Sequence, residues 1–304
     1  MMLVTGGLGT IGAQTARALL DLGQQVVVTR RRDTEVPSFL EGRVTVEPLD
    51  VTDRAAFLAL GERHDITGVV HLAAGGLEVS ERPMDFLRTN TDGLLNALEA
   101  ARTWSVSRFA VASSLTVYAG RSETVWHEDL ALPTVPPIHP IPDFKKAVEP
   151  ITRLALVDTD VRPVLLRIGT IWGPLADPAS PFIPFPALID AVAKGRETPT
   201  LYAEEGGDRC YAPDAGRAIA MLMTTPTLRH EVYNVSSGQP ATNRAFADAL
   251  RAAVPGARID LLPGGDSGPH MDVSRLSADT GFTPAFDLGA AVADYVAWLT
   301  DHDR

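Results

Sequence analysis

Apolar residues form short, nearly continuous runs along the first half of the chain, and amphipathic segments separate these runs. The clearest runs are 2–5, 26–28, 109–112 and 164–168. The segments between them, such as 11–22 and 85–101, carry apolar residues at helical spacing. Strands that are apolar on both faces and alternate with helices are typical of a parallel sheet covered on both sides. The pattern therefore predicts an α/β fold with a Rossmann-type, doubly wound parallel sheet.

A glycine-rich turn follows the first apolar run. The chain there reads TGGLGTIG, which places Gly6, Gly9 and Gly12 between a strand and a helix. In a dinucleotide-binding turn the first glycine permits the tight bend, the second lets the pyrophosphate approach, and the third lets the helix pack closely. The helix start, at Thr10 and Ile11, directs free N–H groups at the phosphates. We therefore expect these five residues to bind a dinucleotide.

Arginines at the end of the second run indicate which dinucleotide binds. An NAD enzyme usually has a carboxylate there for the ribose hydroxyls, but this chain has Thr29, Arg30, Arg31 and Arg32. A hydroxyl and guanidinium groups suit a 2′-phosphate. The alternative is a solvated basic loop, since Asp33 follows directly. We expect NADP(H), with Arg30 and Arg31 as its ligands.

Composition narrows the possible partners. The chain has 304 residues and a formal net charge of -11, which makes nucleic acid an unsuitable partner. Its one cysteine, Cys210, excludes a disulfide framework and a cysteine-based metal site. No apolar run approaches the roughly 20 residues that span a membrane. We expect a cytoplasmic protein, monomeric or homodimeric, with a small-molecule substrate and no metal, membrane or nucleic-acid partner.

Further motifs occur in order along the chain: LDVTD, HLAAGG, VASSLTVYAG, LLRIGTIWGP and DRCYAPDAGRAIAML. Together with the glycine turn, they resemble the extended short-chain dehydrogenase/reductase family, in particular its sugar-nucleotide epimerase and dehydratase branch. The resemblance implies that Asp50 and Val51 lie near the adenine. It also implies that Ala73 and Ala74 line the path to the nicotinamide ribose, and that Asn90 is the helix asparagine near the active site.

The family's catalytic tyrosine is missing from this chain. The resemblance implies a Ser-Tyr-Lys set in which Ser114 is the serine and the tyrosine precedes the lysine by four residues. Glu149, four residues further on, identifies Lys145 as that lysine, so Ile141 occupies the tyrosine position. The neighbouring register would place a proline there. Neither side chain can exchange a proton, a role worth about 10²–10⁴ in rate.

Three interpretations remain open. In the first, the protein still transfers hydride, and the proton comes from Ser114, Thr116, a water or the substrate. In the second, it binds the cofactor without catalysis, as a sensor. In the third, Tyr118 or His139 replaces the missing tyrosine. We favour the first, because the glycines, the arginines, Ser114 and Lys145 are all retained.

An apolar Ile141 beside the nicotinamide suits a flat apolar substrate better than a sugar. The sequence also resembles the atypical tailoring ketoreductases of aromatic polyketide antibiotics, which implies reduction of a polycyclic, angucyclinone-type ketone with NADPH. In this hypothesis Ser114, Thr116 and Lys145 are catalytic. The residues expected to contact the substrate are Ser114, Tyr118, Ile141, Trp172 and Phe182. The alternatives are a sugar-nucleotide epimerase or reductase, and a non-catalytic NADP(H)-binding regulator.

We expect two lobes. Residues 1–170 form the dinucleotide-binding lobe, and 211–236 return to it, with Asp214 capping a helix. Residues 171–210 and 237–304 form a smaller C-terminal lobe that binds the substrate.

Overall fold

The computed structural model describes residues 1–75, 82–133, 140–180 and 183–302. Its strands are β1 (Met2–Thr5), β2 (Val26–Arg30), β3 (Thr45–Pro48), β4 (Gly68–His71), β5 (Arg108–Ser114), β6 (Val125–Trp126), β7 (Arg162–Ile168), β8 (Thr170–Trp172), β9 (Leu201–Tyr202), β10 (Gly206–Tyr211), β11 (Val232–Val235), β12 (Pro240–Thr242), β13 (Leu261–Leu262) and β14 (His270–Met271). Its α-helices are α1 (Thr10–Asp21), α2 (Arg54–Leu58), α3 (Leu60–Arg63), α4 (Pro83–Thr103), α5 (Pro140–Leu156), α6 (Pro184–Ala193), α7 (Ala212–Thr224), α8 (Asn243–Ala253), α9 (Ser274–Thr280) and α10 (Leu288–Asp301).

Seven of the strands form one parallel sheet in the order β3-β2-β1-β4-β5-β7-β11. β1 lies in the middle, where Leu3 pairs with Val27 on one side and Val69 on the other. From β1 the chain first adds β2 and β3 on one side and then returns to add β4 on the other. Ligands of such sheets bind beyond the carboxyl ends of the strands at this switch point between β1 and β4. The predicted Rossmann-type α/β fold is confirmed.

The central strands β1, β2 and β4 are buried on both faces because they are mostly apolar, whereas the edge strand β3 is only partly buried. Alternate residues face opposite sides: Val4 and Val28 belong to a core shared with α1 and α7, whereas Leu3 and Val27 belong to a core shared with α4 and α5. The helices α1 and α7 pack so closely that a Cβ on Gly216 would lie 2.4 Å from the backbone of Gln14.

The helices α6, α8 and α10 share a third core around Trp172, Tyr211, Phe246 and Tyr295. The small sheet β12-β10-β8 carries the first two of these aromatic residues. The prediction that Asp214 caps α7 is wrong. That helix has no side-chain cap, and the buried Asp214 carboxylate accepts hydrogen bonds from residues 285 and 286 instead.

Among the described residues, none of the helices has both the length and the apolar composition needed to cross a lipid bilayer.

Candidate cofactor and active site

The glycine turn joins β1 to α1 at the carboxyl edge of the sheet. Gly6 has φ +66°, a conformation that glycine adopts without strain. A Cβ on Gly12 would lie 2.2 Å from the carbonyl oxygen of Gly6, whereas a Cβ on Gly9 would meet that same oxygen at 3.4 Å and nothing closer. The turn therefore requires glycine at position 12 for its own packing and leaves open space at position 9.

The N-terminus of α1 is suited to binding an anion. Gly9 is its N-cap, no side chain caps it, and its first turn has no acidic residue. The first N–H groups of a helix, here those of Thr10, Ile11 and Gly12, have no intrahelical acceptor. They present a partial positive charge, which fits the pyrophosphate of a dinucleotide.

A cleft of about 320 Å³ extends from the glycine turn past the ends of β1, β2 and β4. It brings together seven of the residues predicted to bind cofactor: Gly9, Arg30, Arg31, Asp50, Val51, Ala73 and Ala74. Five further lining residues were not predicted: Leu8, Thr34, Leu49, Gly75 and Thr89. Three of these five adjoin a predicted cofactor residue along the chain, Thr34 follows the arginine run by two residues, and Thr89 on α4 directly precedes Asn90. Position along the chain therefore pointed to all five.

Charged groups line the end of the cleft next to β2. The Nη1 of Arg30 donates to the Thr34 carbonyl at 2.7 Å and forms an ion pair with Asp33 at 2.9 Å. Hydrogen bonds from the backbone and hydroxyl of Thr52 hold the pKa of Asp50 below its usual value, and the charge of Arg31 adds to this effect. Asp50 is therefore an anion at neutral pH.

Lys145 lies on α5 against the carboxyl end of β5. Its Nζ donates to the Ala112 carbonyl at 2.7 Å, and burial lowers its pKa to about 8. Beside it, His71 shares a 2.9 Å hydrogen bond with the Thr5 hydroxyl. Burial, and then the charge of Lys145, lower the pKa of His71 to about 3. His71 is thus neutral and Lys145 is the local cation. Sequence reasoning did not predict His71.

Asn90 holds the backbone at Gly75, which lines one end of the cleft. Its Oδ1 accepts from the Gly75 backbone N–H at 3.0 Å, and its Nδ2 donates to the Phe86 carbonyl at 2.8 Å. Asn90 and Lys145 line the same small cavity, together with Ala73. The asparagine therefore connects α4 to the residues expected to border the nicotinamide ribose.

Ser114 ends β5, and its Oγ accepts from the backbone N–H of Thr116 at 3.1 Å and from the Thr116 hydroxyl at 3.0 Å. Because Thr116 acts as the donor, the Ser114 O–H stays available to another acceptor. Ile141 lies one helical turn before Lys145 on α5, partly buried against the core. None of the five tyrosines, all within the described residues, lines the cofactor cleft or the cavity beside Lys145.

Tyr118 belongs to a buried hydrogen-bond network. Its hydroxyl donates to Asn234 at 2.8 Å and accepts from Arg167 at 2.9 Å. Arg167 forms two bonds to Glu149, at 2.8 and 2.9 Å, and Glu149 also accepts from Ser113 at 2.8 Å. Burial raises the pKa of Tyr118, and its side chain is fully buried. This corrects the expectation that Tyr118 contacts the substrate.

Trp172 lies away from the cofactor cleft, and its contact with the substrate stays a prediction. Its ring is 1% exposed and packs against Tyr211 and Phe246. It lines a separate cavity of about 440 Å³ that shares no lining residue with the cofactor cleft. Phe182 and His139 lie outside the described residues.

The fold and the turn define a class of protein: those that bind a dinucleotide at the switch point of a parallel sheet. Residues 2–236 match the model of the NAD dependent epimerase/dehydratase family, and the chain belongs to this family. It is 34% identical to the UDP-glucose 4-epimerase of Mus musculus, over 98% of this chain and 96% of that protein.

Solved structures show the same fold. The UDP-glucose 4-epimerase of Thermotoga maritima, solved with UDP-glucose, superimposes with a TM-score of 0.85 at 20% identity, over 99% of this chain and 98% of that one. MoeE5, solved with UDP-glucuronic acid and NAD, gives a TM-score of 0.79 at 26% identity, over 99% of both chains. The expectation of a nicotinamide dinucleotide is confirmed at this level. These relatives favour the sugar-nucleotide alternative over the polyketide ketoreductase.

Proposed function

We propose that this protein is an NADP(H)-dependent oxidoreductase that reduces a ketone of a polycyclic aromatic compound to the alcohol, without a catalytic tyrosine. The observation that carries the proposal is the position of Ile141. It lies one helical turn before Lys145, where the resemblance implies a phenol, and no tyrosine lines the cavities on either side.

The residues of the cleft fit the cofactor. The uncapped start of α1 and the open space at Gly9 suit a pyrophosphate, and Arg30 and Arg31 suit a 2′-phosphate. Lys145 holds a positive charge next to Ala73 and Asn90, where it can donate to a ribose hydroxyl. NADPH, when bound, supplies the hydride.

The proton for the carbonyl oxygen then needs a source other than a phenol of the protein. Ser114 is one, since its O–H is free to donate while Thr116 donates to its oxygen. A serine hydroxyl is a weak acid, however, so it positions the carbonyl better than it protonates it. A substrate with a phenolic hydroxyl beside the ketone carries its own acid, and this property favours an aromatic polycycle.

A matched pair of ketones tests this function. We expect the purified protein to oxidise NADPH with the peri-hydroxy derivative of α-tetralone at least about 10²-fold faster, in kcat/KM, than with α-tetralone itself. Ser114→Ala should reduce the faster rate only modestly. Complete loss of turnover in Ser114→Ala, with cofactor binding intact, would make the serine the proton source. Equal rates for the two ketones would contradict substrate-assisted reduction.

The second candidate is a sugar-nucleotide epimerase or reductase, which the similarity to UDP-glucose 4-epimerase supports. Epimerisation removes and returns a proton at one hydroxyl, so it needs a base that serves in both directions. Incubation with UDP-glucose followed by chromatography of the nucleotide sugars separates the candidates, because formation of UDP-galactose would favour this one. Tight NADPH binding without oxidation by either substrate class would favour a non-catalytic regulator.

The cofactor preference has its own test. Arg30→Asp should reverse a preference for NADPH over NADH, because a carboxylate repels the 2′-phosphate and accepts hydrogen bonds from ribose hydroxyls. Titration with each dinucleotide, followed by nicotinamide fluorescence, measures both dissociation constants. Arg258→Asp makes the same charge change outside the cleft and should leave their ratio unaltered. An unchanged ratio in Arg30→Asp would show that this arginine does not bind the 2′-phosphate.

A further inference from the structure

Of the three arginines that follow one another at the end of β2, Arg30 is held most firmly. Its Nη1 serves both the Thr34 carbonyl and the Asp33 carboxylate, at 2.7 and 2.9 Å. Within the part of the chain that the structure describes, its Nε and Nη2 make no hydrogen bond. The Arg30 side chain is 32% exposed and borders the cleft, whereas the Asp33 side chain is 93% exposed. One half of the guanidinium is therefore engaged by an internal anion, and the other half is open.

We propose that Asp33 determines cofactor specificity as the internal counter-ion of Arg30, and that it weakens the protein's preference for the phosphorylated dinucleotide. This inference rests on the proposed binding of NADP(H) at the same site. It assigns a role to a carboxylate that does not itself line the cleft.

The physical reason is competition for one guanidinium. A 2′-phosphate binds arginine best through two parallel hydrogen bonds, which the open Nε and Nη2 can make. The Asp33 carboxylate on Nη1 neutralises part of the positive charge that attracts the phosphate. Either Asp33 swings into solvent, which its high exposure permits, or it stays and repels the phosphate. Both routes lower the affinity for NADPH. NADH has no 2′-phosphate, so its affinity is not lowered.

The neighbouring charges act in the same direction. Arg31 lines the same cleft as the Asp50 carboxylate and interacts with its charge, so the positive charge available to a phosphate is smaller than three arginines suggest. NADH does not depend on this positive charge, because its ribose carries no 2′-phosphate. Asp33 thereby narrows the preference for NADPH over NADH.

The test compares Asp33→Asn with Glu35→Gln. Both substitutions remove one negative charge from the same loop and keep the side-chain size. Glu35 forms no ion pair among the described residues, and it does not line the cofactor cleft. Fluorescence titration of each variant gives the ratio of the dissociation constant for NADH to that for NADPH.

In Asp33→Asn we expect the dissociation constant for NADPH to fall about fivefold, the effect of one exposed charge interaction. The value for NADH should change less than about twofold, and the gain should shrink as salt screens the charges. Glu35→Gln should leave the ratio unaltered. The proposal would be overturned if Asp33→Asn changed the dissociation constants of both dinucleotides equally, or if the two variants changed them equally. Asp33 would then act only through the general surface charge.

The two proposals fail separately. If the unmodified protein binds NADPH no better than NADH, the proposed cofactor preference is wrong. A rise of the ratio in Asp33→Asn alone would still establish Asp33 as the counter-ion. If NADPH is preferred and Asp33→Asn leaves the ratio unchanged, only the role of Asp33 is lost.

Discussion

Ile141→Tyr is expected to raise kcat/KM for ketones that carry no neighbouring hydroxyl by about 10²-fold or more. The substitution places a phenol four residues before Lys145 on the same helix, so the two side chains lie on one face. The lysine ammonium is the local cation, because the adjacent His71 is neutral, and a nearby cation lowers the pKa of a phenol. Turnover of α-tetralone with NADPH measures the gain.

Ile141→Phe is the matched control. It adds the same ring without the hydroxyl, so any change caused by packing against the partly buried core around Ile141 appears in both variants. The gain should be confined to the tyrosine variant and to the ketone without its own acid. If Ile141→Phe and Ile141→Tyr reduce α-tetralone equally well, the missing phenol is not what limits this enzyme.

The second large effect concerns the glycine turn. Gly12→Ala should abolish measurable dinucleotide binding and destabilise the fold by about 1–3 kcal/mol. Its Cβ would lie 2.2 Å from the Gly6 oxygen and 2.8 Å from the Gly7 Cα, both backbone atoms that cannot turn aside as a side chain would. Thermal unfolding and fluorescence titration with NADPH report the two losses independently.

Gly9→Ala separates binding from folding. Its Cβ meets only the Gly6 oxygen, at an ordinary 3.4 Å, so the unfolding temperature should hardly change. If the pyrophosphate approaches the backbone at Gly9, as this turn type requires, the added methyl group weakens dinucleotide binding by itself. Unchanged NADPH affinity in Gly9→Ala would place the cofactor elsewhere in the cleft.

The sequence allowed the fold to be predicted because the sheet depends on local patterns. Apolar runs at positions 26–28 and 164–168 lie within β2 and β7, and the glycine spacing located the turn that starts α1. These signals need only neighbouring residues: a strand buried on both faces must be apolar throughout, and a tight turn needs glycine.

The buried packing of Tyr118 and Trp172 could not be predicted in the same way, because partners far along the chain determine it. Tyr118 bonds to Arg167 and Asn234, 49 and 116 residues away. One available signal was overlooked: a charged residue such as Arg167 within an otherwise apolar strand needs a buried partner. Followed to Glu149, that signal would have identified the ion pair, and with it the interior location of Tyr118.

The last strand of the sheet and the helix α7 come from residues 212–235, after the chain has already built β8, α6 and β10. The partner of α1 beneath the cofactor turn is this late helix, packed through Gly216 onto Gln14. The cofactor-binding half is therefore not a continuous segment that can be excised or transplanted. A chimera that replaces the region between β7 and α7 has to leave the returning helix and strand in place.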